Sequence, residues 1–462
     1  MRKILITLLL TALIVNVSIA QRPRPFQDGD RVAFVGNSIT EAGFYEIYIW
    51  LYYMTRFPDR RVEVFNAGIG GDVARQINDR LETDVFAKKP TVATISFGMN
   101  DSGYFEYHGD NPEQFADGRV EESYRYFKEI IEKLKARPEI EKIIISSSPY
   151  DETMKNENNY FPGKSRTMER IVAFQKEEAA KHNWPFVDFY YPMKKINLEG
   201  QKSNPEFTIT GPDRIHPGNG GHLVMAYLFL KEQGLTGPVA DVRIDAKKGK
   251  IVKSENASVS GLETGKNSIS FDYLAKSLPF PVDTVSRMWG NDQKESLALE
   301  AVPFMEDMNR EMIQIDYLPA GARYKLTIDG EEIGVWSGEE FARGINLAAL
   351  RNTPQYKQAW TVKNLAITRR NIENKVREYY WLQFVFFKDK GMLFQDDEEA
   401  VQAAREAAME NIFVRSKMET YEAMRFPEIR QSYLDQMDAV VDRIYEINKP
   451  VSRKVAIERV EH

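Results

Sequence analysis

Five short apolar runs, each leading on to a stretch that reads as a helix, constrain the fold of this chain more than any other feature. They cover residues 31–36, 61–66, 91–97, 142–147 and 186–189. Most are nearly continuous in Val, Ile, Ala and Phe, the pattern of strands buried on both faces. After the first, Phe44, Ile47, Tyr48 and Leu51 recur at helical spacing within 41–53. Residues 73–86, 113–135, 168–182 and 222–230 read as further helices. Strands alternating with helices at this spacing predict an α/β fold, a doubly wound parallel sheet.

Residues 1–20 read as an export signal peptide. Arg2 and Lys3 give a positive start, Ile4 to Val15 an apolar run, and Ser18-Ile19-Ala20 a small-residue cleavage site. That run is short for a spanning helix, and no later segment is long and apolar enough to be one. The expected address is periplasmic or secreted, with an uncleaved N-terminal anchor as the alternative. The chain has no Cys, so neither a disulfide nor a lipidated cysteine is available to it. A formal net charge of −6 without a dominating basic patch argues against a nucleic-acid partner.

The chemistry-bearing residues collect at the ends of these runs. The first stops at Gly36 and is followed by Asn37-Ser38-Ile39-Thr40. A serine on a strand-to-helix turn is either a helix cap or a nucleophile beside free helix N–H groups. The second run enters Gly68-Ile69-Gly70-Gly71-Asp72, a sharp turn whose N–H groups can face a ligand. Its glycine spacing is not that of the dinucleotide fingerprint. The third run ends at Gly98-Met99-Asn100-Asp101, placing a side-chain amide just past a strand end. Asp72 and Asp101 read better as turn hydrogen-bonders than as catalytic acids. Far along the chain, Asp213-Arg214-Ile215-His216-Pro217 puts a carboxylate three residues before a histidine. Such a carboxylate either makes a surface pair or orients the imidazole for proton transfer. His222 reads as structural, and no clustered ligands accompany it to make a metal site. Tyr104 and His108, with Phe105 and Tyr107, line a substrate cleft or pack locally.

Taken together, these four strand-end blocks resemble the SGNH (GDSL-type) hydrolase family over about residues 28–235. Gly36-Asn37-Ser38-Ile39, the Asn66–Asp72 stretch with Gly71, Gly98-Met99-Asn100-Asp101 and Asp213-Arg214-Ile215-His216 occur in the family's order. The resemblance implies a flavodoxin-like three-layer fold. It implies Ser38 as nucleophile, His216 as general base, Asp213 as its orienting carboxylate, and an oxyanion hole from Ser38 N–H, Gly71 N–H and the Asn100 amide. The set also suits acyl transfer on chemical grounds, which needs an activated hydroxyl, a base and donors aimed at developing charge. The family usually has Asp before the serine; Asn37 stands here. No cofactor is implied.

After about residue 236 the pattern changes. Residues 237–349 carry short alternating stretches and a hairpin signal at Asp329-Gly330, predicting a β-rich, sandwich-like module. Residues 350–462 carry apolar residues at three-to-four spacing and predict a helical C-terminal region. The second half as a whole is expected to pack against the hydrolase and shape its cleft, with a carbohydrate-binding or dimerising module as the alternative. The domain plan is thus leader 1–20, hydrolase 21–236, β-rich module and helical region. The expected function is a secreted serine esterase that removes acyl, above all acetyl, groups from a carbohydrate. A lipase or lysophospholipase and a non-catalytic glycan-binding protein are the alternatives.

Overall fold

The computed structural model describes residues 21–288 and 290–460. The leader predicted over 1–20 lies outside them. Five parallel strands, β1 (Arg31–Gly36), β2 (Glu63–Gly68), β3 (Val92–Phe97), β4 (Glu141–Ser146) and β5 (Phe186–Val187), form a sheet of order β2-β1-β3-β4-β5. Register runs from Val32 opposite Val64 on one side to Val32 opposite Val92 on the other. The strands are apolar throughout because helices cover both faces. These are α1 (Ser38–Glu41), α2 (Tyr45–Arg56), α3 (Ala74–Arg80), α4 (Pro112–Lys135), α5 (Lys164–Lys181), α6 (Tyr190–Gln201) and α7 (Asn219–Glu232). The strand order reverses between β1 and β3, the switch point where open α/β sheets form their binding crevice.

The helix predicted over 41–53 is two pieces. A single turn, α1, starts at Ser38 and breaks at Gly43, where φ is +73°. Then α2 begins, buried along its whole length. A helix buried all round needs cover from elsewhere in the chain, and α2 receives it from residues far downstream.

Part of that cover is α7, with Asn219 bonded to Tyr48 and Gln233 to Tyr53; the rest comes after the β-module's first strands, β6 (Ala240–Asp245), β7 (Lys250–Glu255), β8 (Ala257–Thr264) and β9 (Ser268–Ala275). The chain then leaves the module as an arm, residues 276–310, carrying short helices α8 (Leu297–Ala301) and α9 (Phe304–Met308). Leu278 N–H donates to Thr55 O at 2.8 Å, and Phe280 and Phe304 join the core of the parallel-sheet domain. The module resumes with β10 (Glu311–Asp316), β11 (Arg323–Ile328), β12 (Glu331–Ser337), α10 (Gly338–Arg343) and β13 (Ile345–Asn346). Asp329 and Gly330, both at positive φ, turn β11 into β12.

The C-terminal region is helical from α11 (Pro354–Trp381) through α12 (Glu398–Glu410), α13 (Ile412–Arg415), α14 (Met418–Met424) and α15 (Pro427–Ile447). Its end differs from the helical expectation for 350–462. A final strand, β14 (Arg453–Arg459), returns to the β-module and lies between β9 and β11. The two module sheets, β13-β10-β6-β7 and β12-β11-β14-β9-β8, share a core of Val242, Ile313, Phe271, Leu326 and Ile457. Alternating Val455 and Ile457 suit a half-buried strand, but the segment is short and follows a long helix, so its helical surroundings masked it. Among the described residues no helix is long and apolar enough to cross a membrane.

Candidate active site

Ser38 is the first residue of α1, at the carboxyl end of β1. Asn37 caps that turn, its Oδ1 accepting the Ile39 N–H at 3.0 Å. The cap needs only an oxygen acceptor, which Asn supplies as Asp does. Ser38 Oγ lies 2.8 Å from His216 Nε2, and His216 Nδ1 lies 2.5 Å from Asp213 Oδ2. Asp213 Oδ1 accepts the N–H groups of Ile215 at 3.1 Å and His216 at 2.9 Å. Burial would raise the Asp213 pKa, but the hydrogen bonds and charge of His216 outweigh it and hold the carboxyl below its ordinary range. The three side chains therefore form one hydrogen-bonded chain.

The loop that delivers Asp213 and His216 is held by a residue the sequence reading passed over. Arg214 has φ of +68°, a left-handed conformation costly for a side chain with a Cβ. Its guanidinium is buried and donates to three carbonyls of one loop, Asp151 O at 2.8 Å, Asn158 O at 2.7 Å and Asn156 O. These bonds fix the strained residue between Asp213 and His216. The arm adds a further brace: Asn291 Nδ2 donates to His216 O at 3.2 Å.

The two turns beyond β2 and β3 meet beside Ser38's turn. A Cβ on Gly68 would lie 2.2 Å from the Glu41 amide nitrogen, so glycine lets the end of β2 pass against α1. Gly71 has φ of +91° and is exposed, and among the described residues its N–H has no acceptor. Asn100 Nδ2 donates to Asp72 O at 2.9 Å, and its Oδ1 accepts the Tyr104 hydroxyl at 2.5 Å. A carbonyl only accepts, so these partners fix which way the amide points and leave the second Nδ2 hydrogen unspent. Tyr104, read from sequence as a cleft residue, thus spends its hydroxyl on Asn100. His108 lies on the exposed rim, 5.9 Å from the Phe161 ring.

Beneath this loop sits Lys164, also unforeseen. Its ammonium is fully buried, donates to Met99 O, Ser102 Oγ and Gly103 O at 2.6 Å each, and lies 3.9 Å over the Tyr104 ring. Burial holds its pKa well below that of ordinary lysine. Asp101 does what its turn position suggested, accepting Ala74 N–H, Gly98 N–H and Ser123 Oγ. Asp72 differs: it is ion-paired with buried Arg80 at 2.7 Å. His222 is buried and stacked on Tyr45, and burial pushes its pKa down to about 3, which keeps it neutral. No group of three or more metal-ligating side chains occurs among the described residues.

A cavity of about 700 Å³ lies between β2, α11 and α15, away from Ser38. Its cations are already spent, Arg31 on Glu63, Arg61 on Asp442 and Arg369 on Glu373.

Residues 34–224 match the GDSL-like lipase/acylhydrolase family, and residues 360–449 match the diltiazem deacetylase C-terminal helical domain. A solved gut microbial diltiazem-metabolizing enzyme is 46% identical to this chain, covering 96% of it and 100% of its own chain at a TM-score of 0.93. An acetylxylan esterase from Geobacillus stearothermophilus is 26% identical over 226 residues, 45% of this chain and 94% of its own length. The solved structure of that esterase covers 45% of this chain and 95% of its own at a TM-score of 0.37. With three strand-end turns and the Asp213–His216 loop before α7 meeting at one crevice, and a full-length relative of this identity, the chain belongs to the GDSL-like lipase/acylhydrolase family and is a carboxylic ester hydrolase of the SGNH type.

Proposed function

We propose that the protein is an exported acetyl esterase that deacetylates a carbohydrate, with Ser38 as nucleophile. The observation that carries the mechanism is the continuous Ser38–His216–Asp213 hydrogen-bond chain ending beside unspent N–H groups. His216 Nε2 takes the Ser38 proton as Oγ attacks the acyl carbon. The developing oxyanion is received by the N–H groups of Ser38 and Gly71 and by Asn100 Nδ2. His216 then protonates the leaving alkoxide, and an acyl-serine remains. Water repeats the sequence, releasing the acid and restoring Ser38. Asp213 keeps the imidazole proton on Nδ1, so Nε2 is free to accept.

Acetyl as the acyl group is supported by relatives named for acetylxylan and for diltiazem deacetylation. The carbohydrate is supported by the acetylxylan relative and by the export-type leader. A second reading, an apolar small-molecule ester, is favoured by the full-length likeness to the diltiazem-metabolizing enzyme. Exposed Phe105, five residues past Asn100, suits such a substrate.

Acetate release from acetylated xylan, other acetylated polysaccharides, diltiazem and a small activated acetyl ester separates these readings. Wild type is expected to release acetate from a polysaccharide and Ser38→Ala is not. Cleavage of diltiazem and the small ester alone would move the substrate to the second reading. Asn100→Ala should lower kcat on the small ester by about 100- to 1,000-fold, the usual cost of one oxyanion donor. A loss under about fivefold would remove Asn100 from that role.

A further inference from the structure

The sheet order leaves β2 at an open edge, where alternate residues present unpaired N–H and C=O groups. In this chain a helix takes the place of the missing strand. Along α11, Arg369 Nη2 donates to Val64 O at 2.7 Å, and Glu373 Oε1 accepts Asn66 N–H at 3.0 Å. Arg377 Nε then donates to Gly68 O at 3.2 Å, and Trp381 Nε1 to Gly70 O at 3.3 Å. The rungs advance by four residues on the helix and two on the strand. Four helical residues rise about 6.0 Å and two strand residues about 6.6 Å, so the registers stay matched over four rungs. All four helix side chains are buried.

The last two rungs, on the final strand residue Gly68 and on Gly70 beyond it, reach the turn that carries Gly71. The Gly70 N–H is held from the other side by Glu41 Oε2 at 3.0 Å, three residues after Ser38 in the same short helix. The Arg377 guanidinium also grips Asp84 with both terminal nitrogens, at 2.8 and 2.9 Å. Asp84 in turn binds Arg80 Nη1 at 2.7 Å, and Arg80 Nη2 donates to Gly36 O at 3.0 Å, the carbonyl that ends β1 before Asn37-Ser38. Arg80 Nε binds Asp72, whose carbonyl accepts the Asn100 amide. One buried cluster, Arg377–Asp84–Arg80, therefore ties the nucleophile turn, the Gly68–Asp72 turn and Asn100 together, and one of its members belongs to the C-terminal helical region.

We propose that Arg377 and Trp381 are positioning residues of the active site, setting the Gly71 turn against Ser38, so that the C-terminal helix is part of the catalytic apparatus. This rests on the reading of Gly71 as an oxyanion donor. Displacing a catalytic donor by about 1 Å costs up to about 100-fold in rate, whereas loosening the sheet edge alone costs only stability.

The test compares Arg369→Met, Arg377→Met and Trp381→Phe in the full chain, with Ser38→Ala beside them, on a small activated acetyl ester. Tm, kcat, KM and the pH–rate profile are measured for each. Arg369 reaches Val64 O, Glu373 and the Trp50 ring and makes no contact with the Gly71 turn, so its variant is expected to lose Tm and keep kcat within about twofold. Trp381→Phe removes the N–H together with the pyrrole half of the indole and keeps one aromatic ring; kcat is expected to fall about tenfold or more, with KM nearly unchanged and the pH midpoint unmoved. Arg377→Met is expected to lose both Tm and kcat. If Arg377→Met fails to fold, Trp381→Phe decides alone. Wild-type kcat in Trp381→Phe, or kcat losses that simply follow Tm at every position, would overturn the proposal. Activity retained in Ser38→Ala would instead overturn the serine mechanism, and this proposal with it.

Discussion

Alanine at either Ser38 or His216 is expected to lower kcat on an activated acetyl ester by about a million-fold, and the double variant to be no worse than either single one. The reason is that neither group works alone. Ser38 Oγ is a weak nucleophile until His216 Nε2, 2.8 Å away, removes its proton. An imidazole without the hydroxyl has nothing to activate. Asp213→Asn should act differently. Asp213 Oδ1 also accepts the Ile215 and His216 N–H groups. An asparagine that keeps those bonds turns its NH₂ toward Nδ1, forces the imidazole proton onto Nε2 and leaves no acceptor for the serine proton. The expected loss is about 10,000-fold, with the loop intact. Rates of the two single variants and the double one, measured on one substrate, check the first expectation. Multiplying losses, or a single-variant loss under about a hundredfold, would contradict a shared proton-transfer unit.

Stability should fall as pH rises from about 5 to 9, and Glu46→Gln should remove much of that fall. Glu46 lies in α2, fully buried, with Oε1 accepting Asn66 Nδ2 at 2.6 Å and Oε2 without a partner among the described residues. Burial, helped by the nearby Glu373 charge, pushes its pKa up from 4.5 to about 8. Below pH 4.5 the carboxyl is neutral folded and unfolded, and its contribution is intact. Between there and about pH 8 the unfolded chain ionises while the folded chain does not, so stability drains away. Above the folded pKa the loss is complete, at most about 5 kcal/mol for a shift of this size. Buried Glu311, pushed by burial up to about 7, acts in the same direction. Glutamine keeps the acceptor for Asn66 and cannot ionise. Urea unfolding at pH 5 and pH 9 should show the variant close to wild type at the first and more stable by several kcal/mol at the second. An equal difference at both would mean that Glu46 ionises freely in the folded state.

Burying a carboxyl beside the second strand-end block has a structural use. Asn66 Nδ2 bridges Glu46 Oε1 and Thr40 O, while Asn66 Oδ1 accepts the Gly68 N–H at 2.8 Å. The pH-sensitive core residue and the turn that carries Gly71 are thus two bonds apart. Ionising Glu46 strengthens its acceptor but leaves a charge with an unpartnered oxygen in the core.

The strand-end blocks were legible because each is local. A buried strand announces itself by a continuous apolar run, and a turn by glycine or by a residue that caps a helix. Ser38, Gly71 and Asn100 each follow such a run directly, and Asp213 and His216 lie within one short segment of each other. The alternation of strands and helices then brings their ends to one crevice. Arg214 was hidden in plain view: nothing in Asp-Arg-Ile-His says that the arginine turns left-handed and spends its charge on carbonyls of residues 151–158. Lys164, just before the helix predicted over 168–182, looks like any solvated lysine until the fold closes over it.

Sequence by itself determined the parallel sheet, the order of its elements and the residues at the ends of its strands, because periodicity and turn chemistry are properties of neighbours in the chain. Tertiary structure decided what covers α2, where the last strand goes and what holds the Gly71 turn. Those depend on hydrogen bonds between groups hundreds of residues apart, such as Arg377 with Gly68 and Asp84. No local pattern encodes them, since a buried ladder of Arg, Glu, Arg and Trp at four-residue spacing reads from the sequence as the polar face of a helix. Only the docking of that helix on an open sheet edge gives the same side chains strand-like partners.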